Sequence, residues 1–300
     1  MDQKTVYVIA GPTASGKSAR ALDLARKIDG VIINADSLQL YNGLPLLTAQ
    51  PSKEDKADIP HLLYGITPPD ITLTAMDWRK MALAALEKAT ADSKIPIIVG
   101  GTGFYIKTLI EGLSPIPEIP EEIRILSQDL MDHLGIDSFF EHLRTLDPVL
   151  CEKIDRQNPR RLVRAYEVMI HTGKPMSYWQ SLPPLGPPDQ YDFQLEVILP
   201  DRDVLYEKCN TRFDVMIANG VVDEVRSFDD LILGGKIPFD CPLTHALGFR
   251  PLQSYVRGEI DLETAIILSK NETRHYAKRQ TTWVKNQVSS QPDGNIAEFK

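Results

Sequence analysis

Several features that would place a protein in another class are missing from this sequence. No apolar run approaches the length that a membrane-spanning helix needs. The first residues lead directly into a strand pattern rather than into a signal peptide, so we expect a cytoplasmic protein without membrane segments. The three cysteines, Cys151, Cys209 and Cys241, form neither a C-x-x-C pair nor a zinc spacing, which favours reduced thiols. The six histidines likewise make no metal-ligand spacing.

The chain also lacks an excess of positive charge. Its net charge of −8 argues against indiscriminate binding of polyanions, although a local basic surface is compatible with that sum. The hydrophobic content of 43% and the charged content of 25% are typical of a globular protein. At 300 residues, the chain is long enough for one large domain or for two domains of ordinary size.

A phosphate-binding loop is the clearest motif that is present. Residues 11–18 read GPTASGKS, which fits the pattern G-x-x-x-x-G-K-[ST], and an apolar strand pattern precedes it while a helical pattern follows. Backbone N–H groups of such a loop and the helix N-terminus bind phosphate oxygens. The side chain of Lys17 can reach the outer oxygens, and the hydroxyl of Ser18 can contact Mg²⁺. The phosphate-binding residues are therefore predicted to be Gly11, Pro12, Thr13, Ala14, Ser15, Gly16, Lys17 and Ser18.

Polar residues follow the next two predicted buried strands, 30–34 and 95–99. In an open parallel sheet, residues just past the carboxyl ends of the strands lie in the ligand crevice. Asp36 is placed there as a base or as a contact to magnesium, but an Asx-type turn also favours aspartate, and both interpretations stay open. Ser37, Gln39 and Thr102 are candidates for hydrogen bonds to a substrate. No acidic residue ends the strand 95–99, which counts weakly against a standard ATPase.

The rest of the chain reads as helices with one returning strand. A helix is predicted over 74–93, with Met76, Met81, Leu83 and Leu86 near one face. Between the proline-rich passages 112–120 and 181–188, helices are predicted over 121–134, 138–146 and 159–171, the last ending at Gly173. Further on, we predict a strand over 194–199, a helix capped by Asp201 and ended by Gly220, and a last helix over 262–286.

These elements predict an α/β fold: a P-loop NTPase-like parallel sheet flanked by helices, with an inserted all-helical subdomain. Residues 1–115 form the first part of the catalytic core, 116–190 the helical insertion, and 191–300 the remainder with a basic C-terminal helix.

Arginines and lysines cluster in the insertion and in the last helix. Arg156, Arg160, Arg161 and Arg164 lie close together in the sequence. Over residues 270–285, the last helix carries Lys270, Arg274, Lys278, Arg279 and Lys285 against one acid, Glu272, with Tyr276 and Trp283 among them. Such clusters are explained if the basic side chains are exposed to solvent and the aromatic side chains are packed in the core. The alternative interpretation is that the basic residues contact a nucleic-acid backbone.

Taken in order along the chain, these motifs resemble the tRNA dimethylallyltransferase (tRNA isopentenyltransferase) family in its bacterial form. The resemblance rests on 11–18, on DSLQLY at 36–41, on TAQP at 48–51 and on IPIIVGGTGFY at 95–105. It continues with NPRRLVRA at 158–165, Arg212-Phe213, ALGFR at 246–250 and KRQTTW at 278–283. The chain ends without the zinc finger that some eukaryotic members carry, which is why it looks like the bacterial form.

The resemblance implies transfer of a dimethylallyl group from dimethylallyl diphosphate to N6 of adenosine 37, in tRNAs that read codons beginning with U. The products are N6-(dimethylallyl)adenosine and pyrophosphate. It further implies an enzyme that uses Mg²⁺ held at Ser18, binds the anticodon stem-loop of tRNA, flips the target base, and acts as a monomer.

The resemblance also assigns residues. It implies Asp36, Thr13, Lys17 and Arg212 as catalytic, with Asp36 as the general base, and residues 11–18 as the diphosphate-binding loop. The residues that it implies for tRNA binding are Asp36, Ser37, Leu38, Gln39, Thr102, Arg124, Arg160, Arg161, Arg164, Gly248, Arg250, Lys278 and Arg279.

Other functions remain alternatives at this point. A small-molecule P-loop kinase would use ATP and an arginine-rich lid. An adenylate isopentenyltransferase would share the loop but use a free nucleotide as acceptor. A non-catalytic RNA-binding protein would leave the phosphate loop and Asp36 without a purpose.

Overall fold

The structure, a computed structural model, describes residues 3–186, 188–290 and 297–299. The chain divides into two compact units, which we call the core unit (Met1–Ile110 with Pro188–Lys300) and the helical unit (Glu111–Pro187). The helical unit overlaps the predicted insertion over 116–190. Of the predicted proline-rich exit, Pro187 lies outside the described residues.

The core unit contains a five-stranded parallel sheet. Its strands are β1 (Lys4–Ala10), β2 (Gly30–Asn34), β3 (His61–Leu62), β4 (Ile95–Gly100) and β5 (Tyr191–Val197), in the order β3-β2-β4-β1-β5. A short antiparallel pair follows, β6 (Val288–Ser290) with β7 (Ala297–Phe299). Every residue of β2 is buried, as expected for an inner parallel strand covered on both faces. The predicted α/β sheet is therefore confirmed.

The helices in the described residues are, in chain order, α1 (Lys17–Ile28), α2 (Lys53–Asp58), α3 (Ala75–Ala91), α4 (Gly103–Ile110), α5 (Glu121–Leu146), α6 (Pro148–Cys151), α7 (Pro159–Thr172), α8 (Met176–Ser181), α9 (Arg202–Ala218), α10 (Val221–Leu233), α11 (Phe249–Val256) and α12 (Leu262–Gln287), with a 3₁₀ helix at Pro242–His245. The predicted helices after the phosphate loop and at the end of the chain are confirmed as α1 and α12.

Side chains alternate between two apolar layers on the sheet. Ile9, Ile32 and Ile97 pack with α1 on one face. Val8 and Ile33 belong to a larger cluster on the other face, which extends to the helices of the C-terminal half. The three neighbouring strands β2, β4 and β1 are thereby fixed, and their carboxyl ends lie at one edge of the sheet.

The helical unit has a core of its own. The side chains of Phe139, Leu143, Leu162 and Val168 are buried in it. The predicted break between two helices appears at Gly135, whose φ of 71° and ψ of 164° interrupt α5. Helix α7 ends at Gly173 in the left-handed conformation, as predicted.

Some sequence predictions were wrong in detail. The fully buried residues of α3 are Trp78, Ala82, Ala85, Leu86 and Ala89, of which the predicted apolar set contained only Leu86. Of the other predicted residues, Met81 and Leu83 are half-buried and pack against the same core cluster.

Two further boundaries differ from the prediction. Strand β5 begins at Tyr191 rather than at residue 194, because its pairing with β1 starts at Lys4. Asp201 precedes α9 but makes no side-chain cap hydrogen bond. The left-handed Gly220 lies between α9 and α10, a helix that the sequence analysis missed.

Candidate active site

The carboxyl ends of β2, β4 and β1 bring three predicted loops together. Thr102 follows β4, which lies between the strand leading to Asp36 and the strand leading to the phosphate loop. The hydroxyl of Thr102 accepts a hydrogen bond from the backbone N–H of Ser37 (3.0 Å), and its own N–H donates to Ala35 O (3.2 Å). The loops after β2 and β4 are thus hydrogen-bonded to each other.

The phosphate loop has the backbone of an anion-binding turn. Ala14 and Gly16 have φ values of 62° and 96°, and α1 begins directly afterwards with the N-terminal end of its dipole at the loop. The side chain of Lys17 curls back so that Nζ donates to Pro12 O at 3.2 Å. The hydroxyl of Ser15 is buried and has no hydrogen-bond partner among the described residues.

Lys17 has a perturbed acid–base equilibrium. Burial lowers the pKa of Lys17 from 10.5 to about 8, against the opposing effect of the Asp36 carboxylate and with a further lowering by Arg212. An anion bound in the loop would restore the charged form, because an opposite charge stabilises the ammonium. The site is therefore prepared for a negatively charged group.

Arg212 connects α9 to the phosphate loop. Its Nη2 donates to the hydroxyl of Thr13 at 2.6 Å, and the Sγ of Cys209, one turn earlier on α9, lies 4.0 Å from Thr13 O. Burial lowers the pKa of Arg212, which remains charged because its ordinary value is so high. Two cations, Lys17 and Arg212, therefore lie on the phosphate loop beside the carboxylate of Asp36.

Asp36 forms the Asx turn that its sequence position allowed, while its role as a base or as a contact to magnesium stays a prediction. Its Oδ1 accepts from the N–H of Leu38 (3.1 Å), which is an Asx turn, and its own N–H donates to Oδ1 of Asn34 (2.8 Å). The carboxylate charge also acts on Lys17, Arg212 and Tyr276. The turn fixes the carboxylate and leaves its second oxygen for a ligand.

Two pockets share this carboxylate in their lining. The first, which we call the phosphate-loop pocket, is lined by residues 13–18 together with Gln39, Tyr64 and Arg212. The second, which we call the Tyr276 pocket, is lined by Tyr276, Arg279, Leu38, Phe213, Met216 and Leu247 among others. Thr13, Asp36, Thr48 and Arg212 line both pockets. A ligand in one pocket can therefore meet a ligand in the other at Asp36.

Gln39 is held by the segment that follows it. Its Nε2 donates to Thr48 O (2.8 Å) and to Ala49 O (2.9 Å), so both amide hydrogens are engaged. The carbonyl oxygen Oε1 is the part of the amide that is available to a ligand. Gln39 can therefore accept from a bound base but cannot form the bidentate amide–adenine pair in this arrangement.

Gln280 is a site residue that the sequence analysis quoted in a motif but assigned no role. Its Oε1 accepts from the N–H of Thr13 (2.8 Å) and its Nε2 donates to Gly101 O (2.8 Å). The amide thus bridges the phosphate loop and the loop after β4. The one available signal was the shared motif KRQTTW, which does not by itself distinguish bridging from binding.

Glycines in the loop after β4 allow α12 to approach. A Cβ on Gly101 would lie 2.4 Å from Nε2 of Gln280, and a Cβ on Gly103 would lie 2.1 Å from the Trp283 ring. Trp283 therefore serves as a packing anchor, the simpler of the two roles that the sequence analysis left open for it. Tyr276 instead lines the pocket beside Asp36.

The remaining tRNA-binding predictions in the core unit lie on α11 and α12. Gly248 adopts φ 85° and donates its N–H to Oε2 of Glu272 (2.8 Å). The guanidinium of Arg250 lies over the ring of Phe239 at 4.9 Å. Lys278 and Arg279 are exposed, with Arg279 over the Tyr276 ring at 5.4 Å. These contacts leave the predicted tRNA-binding roles untested.

Not every base of α12 is available to a polyanion. Lys270 pairs with Asp214 at 2.6 Å and Arg274 donates to Oδ1 of Asn210 at 2.6 Å, so both are used against α9. Of the predicted basic face, Lys278, Arg279 and Lys285 are exposed.

The predicted arginines of the helical unit lie on α5 and α7. Arg124 is 3.5 Å from Glu121, and Arg164 pairs with Glu167 at 2.9 Å. Arg160 and Arg161 lie exposed in the first turn of α7, beside the N-cap Asn158. Arg156 pairs with Asp137 and packs over Phe140, which indicates a structural role.

The donor set for Mg²⁺ is small. No group of three or more histidine, cysteine or acidic side chains that could hold a metal ion occurs in the described part of the chain. The hydroxyl of Ser18, in the phosphate-loop pocket, is available as a ligand. This set fits a magnesium ion that arrives on phosphate oxygens and keeps most of its water, as is usual for Mg²⁺.

The fold and the site define a class: a P-loop phosphate-binding protein in which the carboxylate of Asp36 lies beside the loop. Comparison with known families gives the narrower identity. The sequence model described as IPP transferase matches residues 39–287, and the one described as Isopentenyl transferase matches residues 4–67. The chain belongs to the IPP transferase family and is therefore an enzyme of the transferase class.

Individual relatives agree with this assignment. A protein named tRNA dimethylallyltransferase from Paramagnetospirillum magneticum is 46% identical over 281 residues, covering 94% of this chain and 88% of the relative. A tRNA isopentenylpyrophosphate transferase structure from Staphylococcus epidermidis has a TM-score of 0.65 at 33% identity, covering 95% of this chain and 91% of that one. A eukaryotic dimethylallyltransferase, described as acting on tRNA, has a TM-score of 0.83 at 26% identity over 98% of this chain and 73% of that one.

No helix in the described residues combines the length and the apolar character that crossing a membrane requires.

Proposed function

We propose that this enzyme transfers the dimethylallyl group of dimethylallyl diphosphate to N6 of adenosine 37 in tRNAs that read codons beginning with U. The observation that carries the proposal is the meeting of two pockets at Thr13, Asp36 and Arg212, with a phosphate loop in one of them. An anionic donor and a separate acceptor can reach one carboxylate from two different pockets. The family membership and the names of the relatives support the same reaction.

The donor binds with its diphosphate in the loop at 11–18. As the C–O bond breaks, its electron pair passes to the diphosphate oxygen and positive charge spreads over the allyl carbons. Groups already fixed at the leaving oxygens lower the barrier because they need no reorganisation. Lys17, Arg212 and the loop N–H groups supply that stabilisation. A magnesium ion held by Ser18 and the phosphate oxygens would add charge to the same leaving group.

Asp36 accepts the proton of the acceptor. The lone pair of adenine N6 is delocalised into the ring, so the amine is a poor nucleophile without a base beside it. As the N6–C bond forms, one N6 proton passes to the free oxygen of Asp36. The Asx turn to Leu38 holds the carboxylate in place during this step.

The acceptor base enters from the Tyr276 pocket. N6 cannot reach an enclosed diphosphate while its base is stacked in RNA, so the nucleotide flips out. Apolar and aromatic side chains of this pocket, among them Phe213 and Tyr276, offer surfaces for the flipped base. Arg279, at the same pocket, and Lys278 beside it contact the RNA backbone, as do Arg160 and Arg161 of the helical unit.

A labelling experiment separates this function from the two enzymatic alternatives. Purified enzyme is given Mg²⁺ and dimethylallyl diphosphate labelled in the allyl group, with tRNA and AMP as competing acceptors. We expect label in tRNA alone. Label in AMP would identify an adenylate isopentenyltransferase. Phosphate transfer from ATP, with no label in either acceptor, would identify a kinase and overturn the proposal.

A further inference from the structure

Glu224 on α10 lies outside the residues assigned above, yet it contacts the segment that forms a wall of both pockets. Its Oε1 accepts from the N–H of Leu46 at 2.8 Å and its Oε2 from the N–H of Leu47 at 2.9 Å. Burial raises the pKa of Glu224, against the opposing effect of these two N–H groups. The partly buried carboxylate of Glu224 thus accepts hydrogen bonds from two backbone N–H groups.

The two donors belong to a helical turn over residues 44–50. Backbone N–H groups of Thr48, Ala49 and Gln50 donate to Leu44 O, Leu46 O and Pro45 O at 2.9–3.0 Å. The first N–H groups of such a turn have no partner within it. Glu224 supplies that partner from a distant helix, as a capping residue does for a helix N-terminus.

The carbonyl end of the same turn fixes Gln39. Thr48 O and Ala49 O accept both hydrogens of the Gln39 amide. Because carbonyl oxygens can only accept, the amide nitrogen must face them, and the acceptor Oε1 is left for a ligand. Gln39 lines the phosphate-loop pocket, Leu47 lines the Tyr276 pocket, and Thr48 lines both. An N6 amine that reaches Asp36 from the Tyr276 pocket therefore meets Gln39 on the side of the phosphate loop.

We propose that Glu224 is a positioning residue for the acceptor base: by capping the 44–50 turn, it holds Gln39 with an acceptor oxygen toward N6. This inference rests on the proposed function. N6 of adenine carries two hydrogens, and Asp36 and Oε1 of Gln39 are two acceptors for them. A base with an acceptor at the same position, such as hypoxanthine, meets two acceptors and is rejected. Specificity for adenine thus depends on a carboxylate that touches no substrate.

Two variants remove the cap in graded steps. Glu224→Gln keeps the size of the side chain but places an amide N–H against one backbone N–H, so it loses one hydrogen bond. Glu224→Ala loses both. Asp261→Asn is the matched control, because Asp261 also accepts from a backbone N–H, that of Thr264 (2.7 Å), at the N-terminus of α12.

The readout is selectivity. Anticodon stem-loop RNAs with adenosine or inosine at position 37 are compared by their dissociation constants and, for adenosine, by turnover with dimethylallyl diphosphate. We expect preference for adenosine over inosine to fall roughly ten-fold in Glu224→Gln and further in Glu224→Ala, because the released amide can turn its donor toward O6. Turnover falls roughly ten- to hundred-fold, while the KM of dimethylallyl diphosphate stays unchanged.

The outcomes separate the two proposals. If the wild-type enzyme does not prenylate the adenosine RNA, the proposed function fails. If it does, and both Glu224 variants keep the wild-type preference while only their melting temperature falls, Glu224 is a structural residue and the inference is overturned. The control variant is expected to keep wild-type selectivity and turnover.

Discussion

At the scale of single residues, burial and neighbouring charges have opposing effects on the pKa values of the cationic side chains in the site. Lys17 and Arg212 are drawn into a half-buried loop where desolvation lowers the pKa of both. The nearby carboxylate of Asp36 raises both pKa values, and one of its oxygens accepts a hydrogen bond from the N–H of Leu38. A bound diphosphate would stabilise the charged forms of Lys17 and Arg212, because it adds negative charge beside them.

The role of Asp36 as a base is tested by Asp36→Asn. An asparagine can still accept from the N–H of Leu38, so the turn survives while the basic oxygen is lost. We expect turnover to fall roughly 10²–10⁴-fold, with the dissociation constant for tRNA close to that of the wild-type enzyme. Single-turnover kinetics and filter binding measure the two quantities. Unchanged turnover would remove Asp36 from the chemistry.

We expect the buried ammonium of Lys17 to lower the free energy of unfolding of the enzyme without ligand. The pKa in the folded chain, about 8, lies below 10.5, so folding disfavours the charged lysine. This difference corresponds to roughly 3 kcal/mol, which is present in full below about pH 8 and shrinks as the pH rises toward 10.5. Lys17→Met should therefore raise the free energy of unfolding at pH 7, and by less near pH 10, while it weakens diphosphate use.

Denaturant titrations of both proteins at the two pH values measure this difference. A variant that is less stable than the wild-type enzyme at pH 7 would show that the burial of Lys17 is compensated. A variant that loses tRNA affinity but keeps the KM of dimethylallyl diphosphate would contradict the assignment of Lys17 to the loop.

At the scale of elements, α12 joins the parts of the site. It brings Gln280 to the phosphate loop and to Gly101, places Trp283 against Gly103, and presents Tyr276 to a pocket. The glycines after β4 therefore pack directly against the motif KRQTTW of α12. Their separation by some 180 residues is why the contact was not predictable from local patterns.

Gly103→Ala tests that contact. Its Cβ would lie 2.1 Å from the Trp283 ring, so the ring or the loop must shift. We expect a loss of about 1–3 kcal/mol in the free energy of unfolding, as is typical of overpacking. In a Trp283→Leu background the same substitution should cost less, because a smaller side chain leaves room. Equal costs in both backgrounds would show that Trp283 is not the obstacle.

The sequence predicted elements with strong local signals and missed those that depend on distant partners. The strands before the phosphate loop and Asp36, α1 and α12 have clear apolar patterns or caps, and they were confirmed. The apolar set predicted for α3 omitted Trp78 and the three alanines that are fully buried, because small and aromatic residues give a weak periodic signal. The roles of Gln280 and Glu224 depend on contacts to residues 13 and 46–47, which no spacing reveals.

At the scale of the whole molecule, an acidic chain presents small basic areas. The net charge is −8, yet Arg160 and Arg161 at the start of α7, and Lys278 and Arg279 on α12, are exposed. Lys270 and Arg274 are used internally. The local distribution of exposed basic residues, rather than the net charge, would therefore determine how the protein binds a tRNA.

Arg161→Ala tests the basic area of the helical unit. No ion pair of Arg161 is recorded among the described residues, so its loss should leave stability nearly unchanged. We expect weaker tRNA binding and a slope of log affinity against log salt that is smaller by about one. Arg226→Ala is the control, since Arg226 is also exposed but pairs with Asp223 in the core unit. If both variants bind like the wild-type enzyme, the α7 arginines are only a solvated face.

In the proposed reaction, the phosphate loop holds the pyrophosphate that leaves while the allyl group is transferred to adenosine 37. The most direct measurement is mass spectrometry of nucleosides from tRNA that has been incubated with the enzyme, dimethylallyl diphosphate and Mg²⁺, with fragments mapped to the anticodon loop. We expect one added C₅H₈ group on the adenosine at position 37, and an initial rate of its formation lower by roughly 10²–10⁴-fold when Asp36→Asn replaces the wild-type enzyme. An unmodified adenosine 37, or prenylation elsewhere in the tRNA, would contradict it.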